Sequence, residues 1–321
     1  MKRFFLFLII LLIWGQTHAE NGVNIVFIHI GPEIPPYAHV AIEQARLINP
    51  EADIFMAGNQ SALEKFNDPY AIPIALESLP TSSDHQKFIR NYSVKGGLFR
   101  FAMERFFYLD EMIHQLHLHN VFHLEYDNML YVNLETLLPV FQKATPVLGG
   151  TFDNDIRCIP GFVYVSGPEA IRGLASFIGD HSHRSYNDMR MLAEYKNRTN
   201  KKGIHHLPIV HIGYAAEHAL VSAVGHRSKN PEDYSRYVEE FDSIFDAAAI
   251  GQYLGGIDPN YHANSKPGFI NESCVFDPSK LAYIWEADEE GRLVPYAIYK
   301  NEKRRINNLH IHCKDLKKFA S

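Results

Sequence analysis

The chain has 321 residues, 46% of them hydrophobic, with 31 basic against 37 acidic side chains for a formal charge of -6. Length and apolar content are ample for a sizeable buried core, and the lack of a basic excess argues against a nucleic-acid backbone as partner. At the start, Met1-Lys2-Arg3, the apolar run Phe4 to Trp14 and Thr17-His18-Ala19 have the layout of a signal peptide cleaved near Ala19. The run falls short of the roughly 20 residues that cross a bilayer, so no stable membrane span is expected, with a short signal anchor as the alternative. Residues 1–19 are therefore set aside as a leader for export (secreted, periplasmic or secretory-pathway lumen), and 20–321 read as one domain with an embellished C-terminal half. Cys158, Cys274 and Cys313 show no CxxC spacing and allow at most one disulfide.

In chain order, residues 23–30 read as a buried strand stopped by Gly31-Pro32, 41–48 as a helix and 52–57 as a second strand. Strand, helix, strand implies a parallel pair and hence an α/β fold. Residues 69–83 read as loop, and 96–116 as a long helix carrying Phe101, Phe106 and Leu109 inward. A strand at 121–124, a helix at 134–143, strands at 146–150 and 160–165 and a helix at 168–178 follow. Beyond these the pattern suggests a helix at 187–195, a strand at 205–211, a helix at 246–254 and a last strand at 308–313.

The stretch Val121-Phe122-His123-Leu124-Glu125-Tyr126-Asp127-Asn128 carries the chemistry. Its apolar half suits a sheet interior, which puts the acidic half at the carboxyl edge, where open α/β sheets place their ligands. Carboxylates two residues apart share a side of an extended chain, and their repulsion calls for a cation; such oxygens suit Mg²⁺ or Mn²⁺, which can neutralise a departing diphosphate. A solvated Asx turn is the alternative reading of the triplet. Far downstream, Asn308-Leu309-His310-Ile311-His312-Cys313-Lys314 places His310 and His312 on one face of a strand, offering imidazole nitrogen that favours Mn²⁺.

An apolar strand ending in a short acidic motif, followed much later by a strand-borne histidine and a lysine, resembles the glycosyltransferases of the GT-A fold. The resemblance implies a Rossmann-type mixed sheet flanked by helices. In that family a motif of the Asp-x-Asp type, with Glu-x-Asp among its variants, binds Mn²⁺ and the diphosphate of a nucleotide sugar. By it, Asp127 and His310 or His312 hold the metal, and Glu125 serves the donor side, at the ribose or a metal-bound water. Ile30 and Gly31 lie under the nucleotide, Asn59 ends the strand that touches the base, and Arg100 and Lys314 send cations toward the donor. Gly161 lets the sugar approach the backbone. The segment 245–258 resembles an acceptor side, with Asp246 or Asp258 as base if the reaction inverts the anomeric centre; Asp246 reads equally well as a helix N-cap.

These expectations describe a hexosyl- or N-acetylhexosaminyl-transferase moving sugar from a nucleotide-diphosphate sugar, a UDP-sugar foremost, to a glycan, protein or lipid hydroxyl. Two other classes compete. A secreted metal-dependent phosphoesterase would need an early His or Asp cluster at the first strand, where only His29 stands. A catalytically inactive nucleotide-sugar or glycan-binding protein would keep the fold without turnover.

Overall fold

The computed structural model describes residues 22–92, 97–184, 186–258, 260 and 266–321, so the expected leader and its expected cleavage site lie outside the described residues. The chain opens with β1 (Asn24–His29), α1 (Ala38–Ile48), β2 (Asp53–Gly58), α2 (Gln60–Phe66), β3 (Ile72–Ala75), α3 (Ser83–Asn91) and α4 (Gly97–Leu116). Next come β4 (Val121–Leu124), β5 (Asn128–Leu130), α5 (Leu134–Ala144), β6 (Leu148–Asn154), β7 (Arg157–Val165), α6 (Pro168–His181) and α7 (Asp188–Arg198). The remainder is β8 (His205–His206), α8 (Ile212–Glu217), α9 (Val238–Phe241), β9 (Ser243–Ile244), α10 (Ile250–Gly255), β10 (Ala282–Ala287), β11 (Leu293–Tyr299), β12 (Glu302–Ile306) and β13 (Asn308–His310).

The main sheet has seven strands in the order β3-β2-β1-β4-β7-β6-β8. β1 pairs in parallel with both β2 and β4, while β7 runs antiparallel to β4 and β6, making a mixed sheet flanked by helices. β1 qualifies as a central strand because nearly every residue of Asn24–His29 is buried, so both faces must be apolar. α1 buries Ala38, Ala41, Ile42, Ala45 and Ile48, a helical stripe turned to the sheet. The C-terminal half adds a four-stranded sheet, β10-β11-β12-β9, and the β13-β5 pair. One contiguous apolar core runs from Val23 to Leu316.

Several expected boundaries move, each for a physical reason. The expected loop at 69–83 contains β3, whose Pro73 is tolerated because β3 is the sheet edge. Phe101 is 40% exposed rather than inward, since five residues of helix set it about 140° from the fully buried Phe106. The strand expected at 205–211 shrinks to His205–His206 ahead of Pro208. The helix expected from Asp246 begins only at Ile250, because Ala248 takes a left-handed φ of 58°. The last strand ends at His310, where the chain turns so that His312 N–H donates to the His310 carbonyl at 3.1 Å. Cys158, Cys274 and Cys313 are all free thiols.

α3 docks on α4 through a buried charge cluster. His85, 1% exposed, places Nδ1 3.0 Å from Glu111 Oε1 and Nε2 3.2 Å from Glu104 Oε1. Burial alone would lower its pKa, but the two carboxylates hold it up at about 9. The stabilisation from the imidazolium is therefore complete below the ordinary value of 6.5 and disappears as pH rises through about 9. We expect His85→Ala to cost ~3 kcal/mol near pH 7, because buried Glu111 loses its cation and buried Glu104 keeps only Arg100. Thermal unfolding from pH 6 to pH 10 checks both points: the parent protein loses stability across that alkaline window and the variant does not.

Candidate active site

The strand order reverses between β1 and β4, and in open α/β sheets a crevice opens beyond the carboxyl ends of strands at such a switch. β1 leaves the sheet through His29, Ile30 and Gly31, and β4 through Glu125, Tyr126 and Asp127. The carboxylates converge by a tight turn rather than by strand alternation: Asn128 N–H donates to the Glu125 carbonyl at 2.9 Å, and Glu125 N–H to the Gly161 carbonyl at 3.0 Å. β5 then pairs with β13, aligning His310 with Asn128, and Ile311 N–H donates to the Asp127 carbonyl at 2.8 Å. This pairing carries the late histidine to the acidic turn. His310 Nε2 stands 3.2 Å from both Glu125 Oε2 and Asp127 Oδ1.

The cluster is largely buried and charge-balanced. Burial opposes ionisation of both carboxylates, yet Arg105 and His310 hold Glu125 below its ordinary range, and His310 and Lys314 hold Asp127 well below its own. Burial likewise opposes the His310 imidazolium, but Asp127 and Glu125 raise it to about 10. Lys314 pairs with the free Asp127 oxygen and lies 5.9 Å from the centre of the Tyr37 ring. His312, half-buried, has its ring centroid 4.5 Å from that of His310. Burial and the adjacent His310 charge depress its pKa to about 3. The two histidines meet through the turn after β13, not as neighbours on one strand face.

Glu125, Asp127 and His310 each present a ligand atom within 4.8 Å of the others. Two carboxylate oxygens and one imidazole nitrogen, already shaped around positive charge, fit a divalent ion of the Mn²⁺ or Mg²⁺ type, neutral His310 offering its Nε2 lone pair. His312, expected as a possible ligand, lies outside that group, and Glu125, expected on the donor side, lies inside it.

The other expected residues divide. Gly31 N–H donates to Asn59 Oδ1 at 2.8 Å, so Gly31 and Asn59 do meet at the ends of β1 and β2, with half-buried Ile30 beside them. Arg100 instead pairs with Glu104 at 3.2 Å, one turn along α4. The cation that α4 sends to the acidic turn is Arg105, 7% exposed, which bonds Glu125 and also Asp188 Oδ2 at 2.8 Å. Arg105 lies four residues before Leu109 and seven before Met112, both fully buried, so helical period alone would have marked it as a charge on the buried stripe. Asp188 opens α7, and nothing local set it apart.

Gly161 differs from expectation. The space above it is filled by the chain itself, since an added Cβ would lie 2.6 Å from His310 Nδ1 and 2.7 Å from Asn128 Nδ2. Glycine here admits the histidine. Asp246 is 2% exposed and its carboxylate accepts from Ala249, Ile250 and Gly251 N–H, each at 2.8 Å, and from His310 N–H at 3.0 Å. With its lone pairs so engaged it has no access to an acceptor hydroxyl, which removes it as the base. Asp258 is half-exposed and accepts from Asn260 N–H at 2.8 Å, and its charge acts on Tyr37 together with those of Asp127 and Glu125.

No protein-family model matches the chain, and no curated protein resembles it in sequence. Among solved structures, mouse xyloside xylosyltransferase 1 is 12% identical over 61% of this chain and 90% of its own, with a TM-score of 0.43. The galactosyltransferase LgtC, solved with donor and acceptor sugar analogues, is 13% identical over 58% of this chain and 73% of its own, with a TM-score of 0.40. A putative glucose-1-phosphate thymidylyltransferase from Bacillus anthracis is 7% identical over 58% and 86%, at 0.35. Identities this low transfer neither donor nor acceptor from one protein to another.

Removing Arg105 takes the ion-pair partner from buried Asp188 and leaves half-buried Glu125 with His310 alone, whereas Arg100 lies at the half-exposed start of its helix. We expect Arg105→Met to lower stability by about 3–5 kcal/mol and Arg100→Ala by less than about 1 kcal/mol. Urea unfolding of both variants measures the difference.

Proposed function

We infer that the protein is a metal-dependent glycosyltransferase, of the hexosyl or N-acetylhexosaminyl class, moving sugar from a nucleotide-diphosphate sugar, a UDP-sugar, to a hydroxyl of a glycan, protein or lipid. The observation that carries this reading is the meeting of Glu125, Asp127 and His310 within 4.8 Å at the β1–β4 switch, with Lys314 against the same carboxylate. Those three residues would hold the ion, and the imidazole nitrogen favours Mn²⁺ over Mg²⁺. Bound there, a divalent ion supplies positive charge to a diphosphate leaving group.

The chain's own groups account for the rest. Arg105, fixed by Asp188, keeps Glu125 ionised and aimed. Lys314 sits on Asp127, and its long stem would let the ammonium reach diphosphate oxygens. Gly31, its N–H tied to Asn59, and Ile30 form the rim for the nucleoside. In an inverting reaction Asp258 would take the acceptor proton; a retaining one needs no such base. The leader's composition supports export of the protein. For the phosphoesterase reading, two-metal hydrolysis calls for ions about 4 Å apart, and the described residues hold one group of three metal-ligating side chains.

A thermal-shift panel of UDP-, GDP- and CMP-sugars with and without Mn²⁺ tests the reading. We expect a UDP-sugar to stabilise the protein only with Mn²⁺, by about 2.7 kcal/mol at a hundredfold excess over Kd. Asp127→Ala and His310→Ala should abolish that shift and His312→Ala should preserve most of it; equal stabilisation of all three variants would remove the metal site. Slow Mn²⁺-dependent hydrolysis of the sugar nucleotide, without cleavage of simple phosphate esters, separates a transferase from a phosphoesterase and from an inert binder.

A further inference from the structure

We propose that Asp246 is the positioning residue for His310, its buried carboxylate fixing the histidine backbone so that the imidazole faces Glu125 and Asp127 before any ligand arrives. The proposal rests on the metal-site reading of those three residues and adds a residue 64 positions from His310 in sequence.

A carboxylate that accepts the first N–H groups of a short helix is ordinary capping. Here one acceptor position goes elsewhere: Oδ2 takes Gly251 N–H at 2.8 Å and, beside it, His310 N–H at 3.0 Å. The β5–β13 ladder explains why that donor is free. Ile311 N–H turns toward β5, donating to the Asp127 carbonyl at 2.8 Å, so by strand alternation the His310 N–H points the opposite way. Consecutive residues are thus tied in opposite directions, one to the backbone of a proposed ligand and the other to Asp246.

The connection continues through buried amides. Asp246 N–H donates to Asn308 Oδ1 at 3.2 Å, Asn308 Nδ2 to Asn128 Oδ1 at 2.8 Å, and Asn128 Nδ2 to the Gly161 carbonyl at 2.9 Å. The two glycines at its ends enclose His310: an added Cβ at Gly251 would overlap the His310 carbonyl, and one at Gly161 would press its ring. Backbone and ring of the same residue are held from opposite sides. A buried carboxylate demands donors, and using one of its bonds on His310 couples the turn before α10 to the geometry of the acidic cluster.

Asp246→Asn tests this with little change in shape. Its Oδ1 can still accept from Ala249 and Ile250, while its NH₂ faces the Gly251 and His310 donors, so the perturbation falls on the His310 end. The expected result is Mn²⁺ affinity, followed by water-proton relaxation, weakened tenfold or more, with shifted His310 imidazole nitrogen signals in the metal-free protein. Ile244→Ala, a core truncation on neighbouring β9, should leave both readings as in the parent. Unchanged Mn²⁺ affinity and imidazole signals in folded Asp246→Asn would overturn the proposal. Should that variant not fold, the His310 amide of the unaltered protein decides: exchange with solvent only through global unfolding supports the bond to Asp246, and loop-like exchange refutes it. If the unaltered protein does not bind Mn²⁺, the metal-site reading fails, while the imidazole and amide signals still report on Asp246.

Discussion

Two carboxylates at the end of one strand, Asp127 buried and Glu125 half-buried, must be neutralised, and much of the surrounding architecture follows from that requirement. Unit charges about 4 Å apart interact by ~4 kcal/mol at the effective dielectric of a protein edge, and burial removes the water that would otherwise screen them. Glu125 and Asp127 meet the requirement with three cationic groups drawn from two directions: Arg105 from α4, and His310 and Lys314 from the segment that begins with β13. Asp188 adds a third anion and Arg105 bridges it to Glu125. The result is a charge-balanced, largely buried cluster whose centre favours positive charge.

The backbone bears the cost of bringing these groups together. β5 is only three residues long, yet its pairing with β13 joins the acidic turn to a segment near the chain's end. Glycine is required twice along this seam, at 161 and 251, because the His310 ring and carbonyl occupy the places where side chains would stand. Asp246 belongs to the same construction. A residue that seemed suited to proton transfer is consumed by four backbone donors, and its contribution is to geometry.

The α/β plan was legible in the amino-acid sequence, because hydrophobic period and Gly-Pro punctuation are local: β1, α1 and β2 fall within a few residues of their expected places, as does the acidic exit of β4. So was the pairing of an early carboxylate motif with late histidines, through its likeness to a known motif order. Partner choice was not. Whether Arg100 or Arg105 meets Glu125, whether His310 or His312 joins the ligand group, and whether Gly161 faces a substrate or an imidazole all depend on how distant elements cross. Sequence determined which residues are able to carry charge, cap a helix or bind a cation, since those are properties of side chains. Only the tertiary structure decided which of them do, because burial and distances of a few ångströms are set by strand pairing across nearly two hundred residues, and no local pattern encodes them.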